Sequence, residues 1–329
     1  MATLGLGIVG CGSMGRSLAT NAKALEPMAK VVAVCDTDEQ ALRSAAEEFS
    51  AKPFADPAEL LACDEVQAVV IATPGDSHCA LCLQAAQAQK HVFCEKPMAL
   101  TVQECDQMIA ACEEAGVKLM IGHVLRYIPA FAEMLRIVRE GEIGKPFAMQ
   151  TTRVSSGWGG ARKQWRDVRA TSGGVLFEVS VHELDFMCCV LGEPQAVHCI
   201  GGQYVDQTVD YEDLLLLNIS FENNGVGHLA AGLASALRTY DGKIWGTEGT
   251  IFHRGWGKFT VKRFDGEERE VDPQELEQEY GVQRELREFV EAVLEDKPVT
   301  IPGAEGRRAV AMCQAAYRSL ASGRPERVS

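Results

Sequence analysis

An apolar run, His91-Val92-Phe93-Cys94, stops abruptly on Glu95, Lys96 and Pro97. Proline cannot donate to a sheet ladder and steers its predecessor away from helix, so the run reads as a strand that ends at Lys96. In an open parallel sheet, ligands bind in the crevice beyond the carboxyl ends of the strands, and a lysine so positioned points at a substrate. The alternative is a surface salt bridge that merely ends the strand. A second polar group, Glu178, His182 and Asp185, follows Gly173-Gly174. Spacings of four and three residues put the three on one face of an α-helix. His182 suits a general base, because imidazole titrates near neutrality and a neighbouring carboxylate can fix its tautomer. A satisfied histidine in a packed helix is the competing reading.

A third group is Gly10-Cys11-Gly12-Ser13-Met14-Gly15, a complete G-x-G-x-x-G between an apolar strand and a helix. Its glycines allow a tight turn, close approach of a pyrophosphate and close helix packing, and the N–H groups of Ser13 and Met14 begin the helix. Asp36 ends the next apolar run, 21 residues after Gly15, where a carboxylate accepts hydrogen bonds from the adenosine ribose. A carboxylate there repels a 2′-phosphate, and Thr37-Asp38 adds no arginine to offset it, so NAD is favoured over NADP.

These groups need a scaffold. Residues 4–122 alternate short apolar runs with amphipathic stretches, a βαβα pattern whose strands are apolar throughout and therefore covered on both faces. The expected fold is α/β: a Rossmann doubly wound parallel sheet over 1–123, then an α+β domain over 124–329 with an open, mainly antiparallel sheet. Thr101 and Glu104 form a capping box, and Gly116 is a helix stop. In the second half strands dominate, with Asn223-Asn224-Gly225 and Asp241-Gly242 read as turns and 176–192 as one helix. The C-terminal helix is free to pack back on the first domain. Arg126 and Tyr127, just past the last strand of the first domain, are candidates for substrate contact. So is the stretch 155–166, whose Trp158, Trp165, Arg162 and Arg166 suit stacking on a small ligand and donating to its hydroxyls or a carboxylate. A basic surface loop is the other reading of that stretch.

The chain has 329 residues, 47% of them hydrophobic, and a formal net charge of -14. With no long basic block, binding to nucleic acid or to an anionic membrane is not expected, and no run reaches spanning length. A small-molecule partner fits better. The 12 cysteines fall mostly in apolar runs, which reads as reduced packing thiols in a cytoplasmic protein. Cys79-x-x-Cys82 lies in a helical stretch with no second ligand pair nearby, so no metal is expected.

Taken together, the glycine loop, the E-K-P that closes a later strand and the G-G-x-x-x-acid-x-x-x-H helix resemble the Gfo/Idh/MocA family of nicotinamide-dependent sugar and cyclitol oxidoreductases, over nearly the whole chain. The resemblance implies hydride exchange between NAD and a secondary hydroxyl of a sugar, an inositol-like cyclitol or a glycoside. It also implies a homodimer or homotetramer built through the C-terminal sheet. Lys96 then matches the family's lysine beside substrate and nicotinamide, and His182 its base; the Lys96–Pro97 bond is expected to be cis. Thr73, Pro74 and His78 match the loop passing the nicotinamide half of the cofactor, with Glu95 positioning the nicotinamide ribose or Lys96. Glu178 stands where many members carry Asp, and either contacts substrate hydroxyls or orients His182. Asp185, in the H-x-x-D pattern, is the other candidate for that orienting role. Some members oxidise a glycoside only transiently and eliminate its aglycone, so a redox-neutral glycosidase is an alternative. A non-catalytic nucleotide sensor is a further one, disfavoured by intact Lys96 and His182.

Overall fold

The computed structural model describes residues 3–158, 164–276, 279 and 281–329. The chain divides into two compact units, one of Met1–Val124 with Glu279–Arg307 and one of Leu125–Gln278 with Arg308–Ser329.

In the first unit β1 (Leu4–Val9) is buried along its whole length and leads into α1 (Ser13–Lys23). Then follow β2 (Ala29–Cys35), α2 (Glu39–Phe49), β3 (Lys52–Phe54), α3 (Pro57–Leu61), β4 (Ala68–Ile71), α4 (His78–Gln87), β5 (His91–Glu95), α5 (Val102–Ala115) and β6 (Leu119–Gly122). Side-chain caps fix several helix starts: Asp38 accepts from the N–H groups of Gln40 and Ala41, and Thr101 and Glu104 complete a reciprocal capping box. All six strands are parallel, in the order β3-β2-β1-β4-β5-β6. The direction of winding reverses between β1 and β4, and it is beyond the carboxyl ends of the strands at such a reversal that open parallel sheets bind ligands.

The second unit opens with α6 (Pro129–Arg139) and β7 (Pro146–Ser156), then the short α7 (Arg169–Ser172). Leu176–Ser180 winds as one π-helical turn before α8 (Val181–Leu191). The expected single helix over 176–192 therefore has two pitches, and the α-helical spacing of Glu178 from His182 does not apply across the junction. The remaining strands are β8 (Pro194–Gly202), β9 (Leu214–Phe221), β10 (Val226–Gly232), β11 (Ala234–Gly246), β12 (Gly249–Arg254), β13 (Phe259–Arg263) and β14 (Glu268–Val271). α9 (Gly281–Leu294) belongs to the first unit, where it packs on α1 and its Phe289 meets Phe93 edge-on at 5.7 Å. After α10 (Gly303–Ser322), β15 (Glu326–Arg327) closes the second sheet beside β8, giving the order β14-β13-β12-β11-β7-β10-β9-β8-β15. Its pairs are antiparallel except β7 with β10.

Burial alternates along β9: Leu215, Leu217, Ile219 and Phe221 are buried, while Leu214, Leu216 and Ser220 are half-buried and Asn218 is exposed. α8 packs on β7 and β10 from the covered side. Asn223-Asn224-Gly225 is indeed the turn between β9 and β10, with Asn224 at φ 64°. Asp241-Gly242 is not a turn but lies inside β11, opposite Thr152 and Thr151. The glycine serves close approach, since a Cβ there would fall 2.5 Å from the Gln150 carbonyl oxygen and 2.5 Å from His253 Nε2.

Candidate active site

In the first unit the glycine loop joins β1 to α1. Gly10 turns at φ 97°, and a Cβ on Gly15 would lie 1.8 Å from the Gly10 carbonyl oxygen, so helix and loop touch backbone to backbone. At Gly12 the space is open, with nothing within 4 Å of an added Cβ, and no side chain caps the start of α1 at Ser13 and the exposed Met14. Open space in front of an uncapped helix N-terminus fits a pyrophosphate. Asp36 stands just past β2; its Oδ2 accepts from the Cys11 N–H at 2.6 Å and its Oδ1 from the Asp38 N–H at 2.8 Å. The acid therefore ties the glycine loop to the end of β2, and a carboxylate has further lone pairs for ribose hydroxyls. Burial, and then Asp36, push the Cys11 thiol up to about 12, so it stays protonated. Arg16 is directed to Ser44 and Glu48 on α2.

Past β4, the Ser77 hydroxyl donates to the Pro74 carbonyl at 2.8 Å, so the 2.6 Å contact between Thr73 Oγ1 and Ser77 Oγ is donated by Thr73. That leaves the Thr73 oxygen an acceptor. His78, the first residue of α4, is fully buried, with Nδ1 2.8 Å from the Pro97 carbonyl oxygen and Nε2 2.9 Å from that of Thr73. Lys96 directly follows β5, its bond to Pro97 is cis, and its N–H donates to Oε2 of the buried Glu95 at 3.1 Å.

In the second unit, His182 lies in the first turn of α8. Two arginine–carboxylate pairs stand on its neighbours in sequence. Glu178 Oε1 accepts from Arg166 Nε at 3.1 Å and Nη2 at 3.0 Å. Asp185 Oδ2 accepts from Arg126 Nε at 2.7 Å, and Oδ1 from Nη2 at 2.5 Å. Tyr127 is buried. The Arg166 guanidinium lies over the rings of Trp158 and Trp165, 5.3 and 4.8 Å from their centroids. Tyr211 steadies this group by donating to the Arg166 carbonyl at 2.7 Å while accepting from Trp158 Nε1 at 2.9 Å. Arg162 lies outside the described residues.

Sequence reasoning missed a buried set under α8. Glu183 Oε1 accepts from Arg153 at 2.7 Å and from the Tyr240 hydroxyl at 2.9 Å, and burial beside Glu183 pushes Tyr240 far up. Its only signal was a third acid in His182-Glu183-Leu184-Asp185. Among the described residues no group of three or more His, Cys, Asp or Glu could hold a metal ion, and no helix is long and apolar enough to cross a membrane.

Residues 4–123 match the model of the oxidoreductase family, NAD-binding Rossmann fold, and residues 136–328 that of its C-terminal alpha/beta domain. The chain belongs to the Gfo/Idh/MocA oxidoreductase family. It is 34% identical over 257 residues to a 2,7-anhydro-N-acetylneuraminate hydratase of Mediterraneibacter gnavus, an overlap of 76% of this chain and 67% of that one. It is 28% identical over 329 residues to the myo-inositol 2-dehydrogenase of Thermotoga maritima, covering 96% of each chain. A levoglucosan dehydrogenase solved with NADH and L-sorbose superposes over 100% of both chains with a TM-score of 0.92 at 24% identity, a likeness of fold. The protein is thus an oxidoreductase of the Gfo/Idh/MocA family, and its first unit is the NAD-binding domain.

Proposed function

We propose that this oxidoreductase exchanges hydride between NAD and a secondary hydroxyl of a sugar, an inositol-like cyclitol or a glycoside. The observation that carries the reading is Lys96 at the carboxyl end of β5, in a sheet whose winding reverses between β1 and β4. Two relatives, a myo-inositol 2-dehydrogenase and a 2,7-anhydro-N-acetylneuraminate hydratase, support a polyhydroxylated substrate.

The N–H groups of the Gly10–Gly15 loop and the start of α1 hold the pyrophosphate, and Asp36 accepts from the adenosine ribose. Thr73, Pro74 and Glu95 line the nicotinamide half. NAD, when bound, supplies the hydride acceptor. Lys96 donates to the alcohol oxygen and stabilises the charge that develops on it, and His182 accepts the hydroxyl proton. Arg126 holds Asp185 and Arg166 holds Glu178. Of the two acids we assign Glu178 to the substrate hydroxyls, because its side chain keeps 8% exposure while that of Asp185 keeps 1%. Tyr127 and Trp165 complete the substrate contacts. The half-exposed face of the second sheet, where a depression of about 450 Å³ is lined by Gln150, His198, Val226 and Trp245 among others, is the surface for a homodimer or homotetramer.

The test is absorbance of reduced nicotinamide after mixing the protein with NAD and a panel of inositols, hexoses, sugar acids and glycosides. A rise with one class supports a dehydrogenase and names its substrate. The hydratase relative favours a second reading, in which NAD is reduced and reoxidised within one turnover. On that reading this protein should purify with NAD bound, convert substrate with none added and give no net absorbance change.

A further inference from the structure

His78 is fully buried, and both of its ring nitrogens face backbone carbonyl oxygens: Nδ1 that of Pro97 at 2.8 Å, Nε2 that of Thr73 at 2.9 Å. Carbonyl oxygens only accept. A neutral imidazole has one N–H and one lone pair, so it would satisfy one carbonyl and turn its lone pair on the other. An imidazolium donates to both, and charge-assisted hydrogen bonds are the stronger kind.

We infer that His78 is held as an imidazolium that ties the Thr73 carbonyl, past the end of β4, to the Pro97 carbonyl, one residue beyond Lys96. Because both nitrogens are spent on the protein, His78 is a positioning residue and makes no direct hydrogen bond to the cofactor. It fixes the Thr73-Pro74 segment and the backbone after Lys96 in one geometry. Burying the cation costs desolvation, which its two hydrogen bonds offset. The titratable groups on α4 and the elements packed around it are Cys79 and Cys82 in the helix, Asp76 in the preceding turn, Glu59 on α3, His91, Cys94 and Glu95 on β5 with Lys96 just past it, and Glu104, Cys105, Asp106, Cys112, Glu113 and Glu114 on α5. The carboxylates favour the cation and Lys96 opposes it. The functional consequence rests on the role proposed above for Lys96, but the protonation state does not.

The experiment is nitrogen NMR of the full chain labelled with 15N-histidine, at pH 8, where ordinary imidazoles are neutral. Of the seven histidines, one is expected to show imidazolium-type shifts at both ring nitrogens, and its signals vanish in His78→Gln. If that variant does not fold, couplings across the hydrogen bonds to the Thr73 and Pro97 carbonyl carbons, in wild-type protein labelled uniformly with 13C and 15N, assign the signal. Where it folds, turnover drops about a hundredfold while NAD affinity is nearly kept, the signature of a displaced neighbour. A neutral His78 at pH 8 overturns the inference. An imidazolium in a protein inactive on every alcohol overturns the proposed function alone, and an active enzyme with a neutral His78 overturns this inference alone.

Discussion

Asp185 gives both carboxylate oxygens to Arg126, in a pair whose acid is 1% exposed and whose arginine is 11% exposed. Removing one member leaves a buried charge without its main counterion, which costs far more than an exposed pair is worth. Arg126→Met should therefore lower stability to urea by about 3 kcal/mol. Arg126→Lys should recover little of it, because an ammonium cannot reproduce the forked contact. A midpoint within error of the wild type would show that the pair is dispensable.

Asp36 anchors the glycine loop through Cys11, and the proposed function also assigns it the preference for NAD. Asp36→Ser should weaken NAD about tenfold and narrow the gap to NADP, as isothermal titration with each nucleotide would report. Unchanged NAD affinity with NADP still excluded would mean that selection lies elsewhere.

His253 makes the fold acid-sensitive. It is packed edge-on against Phe131 and Tyr240, and burial pushes it down to about 4. The unfolded imidazole takes up a proton below about 6.5, whereas the folded one does so only near 4, so unfolding binds a proton between these values. Stability present at neutral pH should thus be lost as pH falls through that window, by about 3 kcal/mol. In His253→Gln this part of the pH dependence should disappear from urea midpoints; a profile identical to the wild type would assign the acid sensitivity to other groups.

Val226 is 55% exposed on the half-exposed face of the second sheet. If copies of the chain associate there, Val226→Glu should shift the mass measured by light scattering to that of one chain. An unchanged larger mass would move the interface to another surface.

Much of the scaffold was legible before the structure, because local rules and tertiary demands agreed. Continuous apolar runs gave the parallel strands, G-x-G-x-x-G gave the first crossover, and Thr101 with Glu104 marked a helix start that the structure caps on both sides. The three-residue edge strand Lys52–Phe54 was too short to leave a periodic signal. Asp241-Gly242 looked like a turn because composition cannot tell a glycine that bends the chain from one that admits a neighbour. At the candidate site the sequence identified Glu178, His182 and Asp185 but not their partners. Arg126 is 59 residues from Asp185 and Arg166 is 12 from Glu178, and such pairings are tertiary. The π-turn before α8 also breaks the spacing on which a shared helix face depended.

The most direct measurement follows hydrogen rather than absorbance, since net oxidation leaves the substrate's own deuterium on the cofactor. The protein would be incubated with NAD and polyols carrying deuterium on their ring carbons, and the cofactor weighed by mass spectrometry. The account predicts deuterium on the nicotinamide with at least one polyol, falling by about a thousandfold in rate in Lys96→Ala while NAD still binds. A cofactor that stays free of deuterium with every polyol, or a Lys96→Ala protein that labels it as fast as the wild type, would contradict it.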